Sequence, residues 1–279
     1  MKIVLAGACG NLGGDIFRSL LAAGHTVVAA DVIERDLGLA GDYTFRKLDV
    51  TDPAALKGLC DGADMVISTV GLTKASATLT SEQIDFAGNR NLLREAQAAG
   101  VKKFIYISVL KADRGAGVPM VEAKYHMEQA LVESGMHYII YRPTGYFYDI
   151  VKVFRPMVEK GSVSLLGDGS VRANVIDTPD FADYITAHLD DPDGIVSIGG
   201  RETYTYAEIA RMCFAAAGKP AVIRSTPAWL FDVLAFVSRC RRNGKEAVIR
   251  FGKWTMTRDM TADVHAGEHS FAEYIKKSF

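Results

Sequence analysis

No CxxC pair occurs in the sequence; its four cysteines (Cys9, Cys60, Cys213, Cys240) are scattered. That spacing excludes a disulfide framework and a cysteine-ligated zinc site, and makes a reducing cytoplasm the expected location. An excess of charge of either sign is missing too, since 32 basic against 33 acidic residues leave a net charge of -1. Without a basic field there is no electrostatic footprint for nucleic acid. Long apolar runs are also lacking. The longest late one, Pro227 to Val237, contains Asp232 and is too short to span a bilayer. Met1 leads straight into an apolar strand, so no signal or transit peptide is expected. Internal repeats and low-complexity segments are absent. His265 and His269 are spaced to share a helix face, but Gly267 lies between them and no third ligand is evident. No metal is therefore expected.

The composition that remains, 49% hydrophobic and 23% charged over 279 residues, is that of an ordinary globular protein. It is long enough for one large α/β domain or a core with an appended lobe. The chain opens with the apolar strand Lys2 to Ala6, which runs into glycines at 7, 10 and 13. An amphipathic helix with Ile16, Leu20 and Leu21 on one face follows and stops at Gly24. A strand that turns abruptly into a helix leaves backbone N–H groups open at the positive end of the helix dipole, an arrangement that binds a dinucleotide pyrophosphate. The spacing here is Gly-x-x-Gly-x-x-Gly rather than the commoner Gly-x-Gly-x-x-Gly, so context has to decide. The context agrees. A second strand, Thr26 to Ala30, ends at Asp31, about twenty residues past the turn, where a carboxylate accepts hydrogen bonds from the adenosine ribose. The same carboxylate would repel a 2′-phosphate, which favours NAD; nearby Arg35 keeps NADP open.

Strand and helix signals go on alternating. Tyr43 to Leu48 reads as a third strand, and Asp52 before Pro53 as a helix N-cap. Ala63 to Val70 is a fourth strand, Thr73 to Thr80 a small, polar, mobile loop, Ser81 to Ala99 a helix and Lys103 to Ser108 a fifth strand. Such repeats predict an α/β protein, a Rossmann-type doubly wound parallel sheet with helices on both faces. A smaller C-terminal substrate lobe is expected after it. The boundaries read as 1–145 for the core and 146–279 for the lobe, with roughly 175–199 returning to the core. In the lobe, Ile150 to Lys160 reads as a helix interrupted by Pro156, and Thr205 to Ala217 as a helix stopped by Gly218. The segment from Trp229 to Phe236 reads either as pocket lining or as plain core. Arg239, Arg241, Arg242 and Lys245 follow it. They read as a solvated loop, with an anionic substrate or a membrane surface as the alternatives.

These segments together resemble the atypical, extended branch of the short-chain dehydrogenase/reductase superfamily. The residues that carry the resemblance are Ala6-Gly-Ala-Cys-Gly-Asn-Leu-Gly13, Asp31, Leu48-Asp-Val-Thr-Asp52, Asp64 through Gly71, Ile84-Asp-Phe-Ala-Gly-Asn-Arg-Asn-Leu-Leu93, Val101 to Ser108, Lys124 before Glu128, and Tyr141-Arg-Pro-Thr-Gly145. Leu166 to Ser170, Asp180-Phe-Ala182 and Tyr204 to Ile209 extend it over nearly the whole chain. Within the branch the sequence is most similar to NmrA-like and divinyl-reductase-like proteins.

The resemblance implies that Gly7, Gly10, Asn11, Leu12 and Gly13 cradle the pyrophosphate and that Asp31 holds the ribose. Asp49 and Val50 would flank the adenine, and Thr69, Val70 and Gly71 would line the middle of the cofactor. Lys124 would hold the nicotinamide ribose, and the backbone after Pro143 would meet the carboxamide. Catalytic members carry tyrosine four residues before that lysine. Here the position is Met120, which cannot donate a proton, and the assisting Ser/Thr aligns at Val109 or, one residue earlier, at Ser108. In isoflavone-reductase-like relatives a lysine takes the catalytic role, which makes Lys124 the expected acid; Tyr125, His126, Tyr146 and Tyr148 are the other candidates. The expected function is that of an NAD(P)-dependent oxidoreductase acting on a small or flat apolar substrate. The alternatives are a non-catalytic, redox-sensing regulator of the NmrA type and a sugar-nucleotide epimerase, the latter weakened by the missing tyrosine. A homodimer or a regulatory protein partner remains open.

Overall fold

The computed structural model describes residues 1–35, 37–72 and 75–279; of the expected loop from Thr73 to Thr80, Thr73 and Lys74 lie outside the described residues. Six strands form by residue 143: β1 (Lys2–Ala6), β2 (Thr26–Asp31), β3 (Tyr43–Lys47), β4 (Met65–Ser68), β5 (Lys103–Ile107) and β6 (His137–Pro143). Among the described residues six more follow: β7 (Val163–Leu166), β8 (Arg172–Ala173), β9 (Gly194–Gly199), β10 (Tyr204–Thr205), β11 (Ile223–Thr226) and β12 (Val264–His265). Eight of the twelve make one sheet, in the order β12-β9-β6-β5-β4-β1-β2-β3. The pairings of β1 through β5 are parallel, with Val4 in register with Val28 on one side and Val66 on the other. A parallel sheet is covered on both faces, which is why β1, β4 and β5 read as unbroken apolar runs. Val4, Val66 and Phe104 are all wholly buried. β3 differs in carrying Arg46 and Lys47 at the outer edge, where charge discourages a further strand from adding.

The chain divides into two compact units. The first comprises Met1–Lys74, Thr78–Arg142 and Ala182–Val196; the second comprises Ala75–Ala77, Pro143–Phe181 and Ser197–Phe279. In the first unit, α1 (Asn11–Ala22) buries Leu12, Ile16, Phe17 and Leu20 at helical spacing. Asp52 caps α2 (Pro53–Leu56) by accepting the Ala54 N–H at 2.9 Å. α3 (Asn89–Ala98) and α4 (Pro119–Glu133) pack against each other and add Leu92, Leu93, Met127 and Leu131 to the core. A short segment of the chain, Thr178 to Ala187, is helix α6, after α5 (Phe147–Glu159) of the second unit. The second unit further contains α7 (Tyr206–Ala216), α8 (Ala228–Cys240), α9 (Glu246–Met256) and α10 (Phe271–Ser278). Phe147 of α5 lies 4.7 Å from Phe271 and 5.4 Å from Tyr274 of α10, ring centre to ring centre. Helices α8 and α9 form a hairpin tied by Lys253 to Asp232 at 2.6 Å.

Three local expectations are corrected. The helix read from Ser81 to Ala99 is π-helical over Glu82–Gly88 before it becomes α3. The Asn89 side-chain amide takes the carbonyls of Ile84 (3.2 Å) and Asp85 (2.9 Å), and Gly88 has no side chain to collide with Val50, so the widened turn is held from within. Pro156 does not interrupt α5. It sits in the last turn on an exposed face, so the carbonyl it leaves free meets water, and Lys160 N–H closes the next turn on Pro156 O at 3.2 Å. His265 and His269 do not share a helix, since His265 ends β12 and His269 pairs with Asp177 and Asp180.

Candidate functional site

All carboxyl ends of the parallel strands β1 to β5 face one edge of the sheet, and the strand order reverses around β1, between β4 and β2. Ligands of open α/β sheets bind at such a point. Here β1 turns into α1. Gly7 has φ +84°, a conformation that glycine tolerates and other residues avoid. The Ala30 carbonyl accepts from both Gly7 N–H (2.8 Å) and Ala8 N–H (3.2 Å), and Gly10 N–H bonds Gly7 O at 3.1 Å. A Cβ on Gly13 would stand 2.0 Å from the Gly7 carbonyl oxygen, and one on Gly7 would stand 2.4 Å from Thr69 Oγ1. The Thr69 hydroxyl donates to the Ala6 and Gly7 carbonyls, each at 3.1 Å, pinning the end of β4 to the turn. Helix α1 has no side-chain cap and no acid in its first turn, and the N–H groups of Asn11, Leu12 and Gly13 find no acceptor among the described residues. Open donors at a helix N-terminus, with no carboxylate to compete for them, fit a diphosphate.

Asp31 ends β2 beside this turn. Its carboxylate accepts Cys9 N–H at 2.9 Å and Ile33 N–H at 3.1 Å, which uses two of its roughly four acceptor positions. Burial and the Asp31 charge push the Cys9 thiol up, so this cysteine is no thiolate nucleophile. Asp49 is exposed and accepts from the Thr51 N–H and hydroxyl, whereas Val50 is buried with its carbonyl bound by Asn91 at 3.1 Å.

Beyond β4 the sequence alone missed the central feature. Lys124 of α4 lies 3.2 Å from the carboxylate of Asp85, whose side chain is 1% exposed against 17% for the lysine. The other Asp85 oxygen accepts Leu72 N–H at 3.1 Å, and Lys124 Nζ also donates to the Ile107 carbonyl at the end of β5 at 3.2 Å. Gly71 passes directly over the pair; a Cβ there would be 2.8 Å from Asp85 Oδ1 and 3.2 Å from Lys124 Nζ. Asn89 links the same region to β4, receiving the Ser68 hydroxyl at 2.5 Å and donating to the Val70 carbonyl at 3.2 Å. Asp85 and Asn89, wholly buried and four residues apart on one helical face, were the available signal, since polar residues on a core face need partners. Next to Ile107, the Ser108 hydroxyl is buried and unpartnered among the described residues. Of the alternative proton donors, His126 is exposed and contacts Glu82 and Phe86. Pro143, Tyr146 and Tyr148 belong to the second unit, where Pro143 is buried at the end of β6 and the two tyrosine rings stack at 5.7 Å. Burial, with the Tyr148 and Asp149 charges behind it, holds the Tyr146 phenol well above its usual range.

A family model described as NAD(P)H-binding matches residues 7–192, from the glycine turn to the loop before β9. The chain belongs to the NAD(P)H-binding family. Within it, the chain is similar to the photosystem II assembly factor Ycf39 of Synechocystis, at 26% identity over 91% of this chain and 76% of that protein. It is likewise similar to the chloroplastic divinyl chlorophyllide a 8-vinyl-reductase of Oryza sativa subsp. indica, at 25% identity over 96% and 73%. Among solved structures, the triphenylmethane reductase of Citrobacter, complexed with NADP(H), shares the fold with a TM-score of 0.77 at 18% identity, each chain covered completely. The protein is thus an atypical, NmrA-like relative of the extended short-chain dehydrogenase/reductases, a nucleotide-binding and oxidoreductase-like chain.

Proposed function

We propose that this chain is an NAD(P)H-dependent reductase of a small or flat apolar acceptor, with Lys124 taking over the proton-donating role of the tyrosine that Met120 replaces. The observation that carries the reading is the Lys124–Asp85 pair beneath Gly71, at the edge where the glycine turn opens. A bound nicotinamide supplies hydride. The chain supplies the rest. Gly7, Gly10 and Gly13 let the backbone approach, and the N–H groups of Asn11, Leu12 and Gly13 hold the diphosphate. Asp31 takes the ribose through its remaining acceptor positions and makes NADH the preferred partner over NADPH. Asp49 and Val50 flank the adenine, and Thr69 and Val70 line the middle. Lys124, held by Asp85 and the Ile107 carbonyl, orients the nicotinamide ribose and carries the proton that completes reduction; the open Ser108 hydroxyl assists. Relatives named as reductases of divinyl chlorophyllide and of triphenylmethane support a flat acceptor.

Titration with NADH and NADPH, followed by a screen of quinone, triarylmethane and conjugated-alkene acceptors, tests this. The expected result is tighter binding of NADH and turnover of at least one acceptor. Lys124→Ala should still bind cofactor while losing about 100-fold or more in turnover. Tighter binding of NADPH would overturn the role given to Asp31. A second reading, a sensor that binds NAD(P)H without turning it over, is favoured by Met120 and by the relatives named as assembly factors. Tight NADH binding with no acceptor consumed would select it, and binding of neither cofactor would remove both.

A further inference from the structure

Helix α8 is apolar on both sides, yet only one side is covered. Ala235 and Ser238 are buried, while Trp229 (62% exposed), Leu230, Val233, Leu234, Phe236 (63%) and Val237 all face outward. At 3.6 residues per turn these six span an arc of roughly 160°, a continuous stripe rather than scattered surface positions. Exposed aromatic and aliphatic side chains in one contiguous patch mark an interaction surface.

The charges around the stripe identify what it meets. The α8–α9 hairpin, residues 228–256, carries six cations (Arg239, Arg241, Arg242, Lys245, Arg250, Lys253) and two carboxylates, Asp232 and Glu246, in a chain whose net charge is -1. Both carboxylates are already paired, Asp232 with Lys253 at 2.6 Å and Glu246 with Arg250 at 2.9 Å. Arg239, Arg241, Arg242 and Lys245 are exposed at the end of α8 and in the turn after it, and none has an acidic partner among the described residues. A wide apolar face ending in unpaired cations is the pattern of a helix that lies in the plane of an anionic bilayer, its aromatic residues below the headgroups and its arginines among the phosphates. It is not a spanning segment, since no helix among the described residues is long and apolar enough to cross a membrane. We infer that α8 is an interfacial anchor that docks this protein on the surface of an anionic lipid membrane.

Flotation of the full chain with vesicles decides the matter. Wild type should float with vesicles of phosphatidylcholine and phosphatidylglycerol and stay behind with phosphatidylcholine alone. Raising salt from about 0.1 M to about 1 M, where the screening length falls from about 10 Å to about 3 Å, should weaken the association. Trp229→Ser with Phe236→Ser, and separately Arg239→Glu with Arg242→Glu, should each reduce it about tenfold or more while thermal melting is unchanged, because all four side chains are exposed. Binding should also shift Trp229 emission to the blue, a change missing in Trp229→Ser because Trp254 is buried in either state. No flotation, or equal flotation with both vesicle types, overturns the inference. Lipid-free self-association that Trp229→Ser with Phe236→Ser abolishes overturns it as well, by giving the face to a second copy of the chain.

Discussion

Asp85 and Lys124 form a pair whose two members are unequally buried, and that inequality fixes what each substitution does. Lys124→Met strands a carboxylate that is 1% exposed, whereas Asp85→Asn leaves a lysine with partial access to water. The first should lower stability by about 3 kcal/mol and the second by less, with the double variant recovering part of the loss; urea denaturation of the four proteins reads the coupling. Equal and additive losses would mean that the pair does not interact. Gly13→Ala places a Cβ against the Gly7 carbonyl at 2.0 Å, so the turn must open. It should weaken NADH binding about tenfold or more, a loss of about 1.4 kcal/mol in titration. The two cases also show what a sequence exposes. Gly13 is set by the Gly7 carbonyl six residues earlier and Gly7 by its own positive φ in the turn, so both are legible directly. Asp85 depends on Lys124, Leu72 and Gly71, which only the packed sheet brings together, and an aspartate inside a helical run gives no local sign of that.

At the level of elements the alternation of apolar strands and amphipathic helices was readable because burial on both faces of a parallel sheet imposes it. Helix α7 was readable at its start for a different reason. Thr205 accepts Glu208 N–H at 3.1 Å while Glu208 accepts Thr205 N–H at 2.8 Å, a reciprocal cap written in four residues. Thr205→Ala should cost about 1 kcal/mol in a denaturant melt. The backbone and hydroxyl hydrogen bonds from Thr205 hold the Glu208 carboxyl below its usual 4.5. Its contribution to stability is therefore complete above that value and disappears as pH falls through the lowered folded one; Glu208→Gln should flatten the acid limb of the melting curve. The π-helical turn and the passage of α5 through Pro156 were not legible, because each depends on where freed carbonyls find partners, the Asn89 amide in one case and water in the other.

Over the whole molecule, phenols of Tyr106, Tyr141, Tyr146 and Tyr206 are held above their usual range by burial, that of Tyr206 up to about 12. Unfolded tyrosines ionise near pH 10. Above that value the unfolded chain releases protons that the folded chain keeps, so stability is full below about pH 10 and falls as pH rises through the folded values. Urea midpoints measured from about pH 8.5 to about pH 11 should decline, and Tyr206→Phe should make the decline shallower. The first unit returns to the chain at Ala182–Val196, where Asp183 accepts the Ser19 hydroxyl at 2.7 Å, the Leu189 and Asp191 carbonyls bind Lys103, and Asp193 binds His137. In the order of synthesis, then, the six strands from β1 to β6 leave the ribosome before the stretch that finishes their unit. A nascent chain arrested once residue 142 has cleared the exit tunnel should hold a sheet with an uncovered Lys103 and be open to protease, becoming resistant only once Val196 has emerged. The glycine turn would be built first and the unit that presents it would close last.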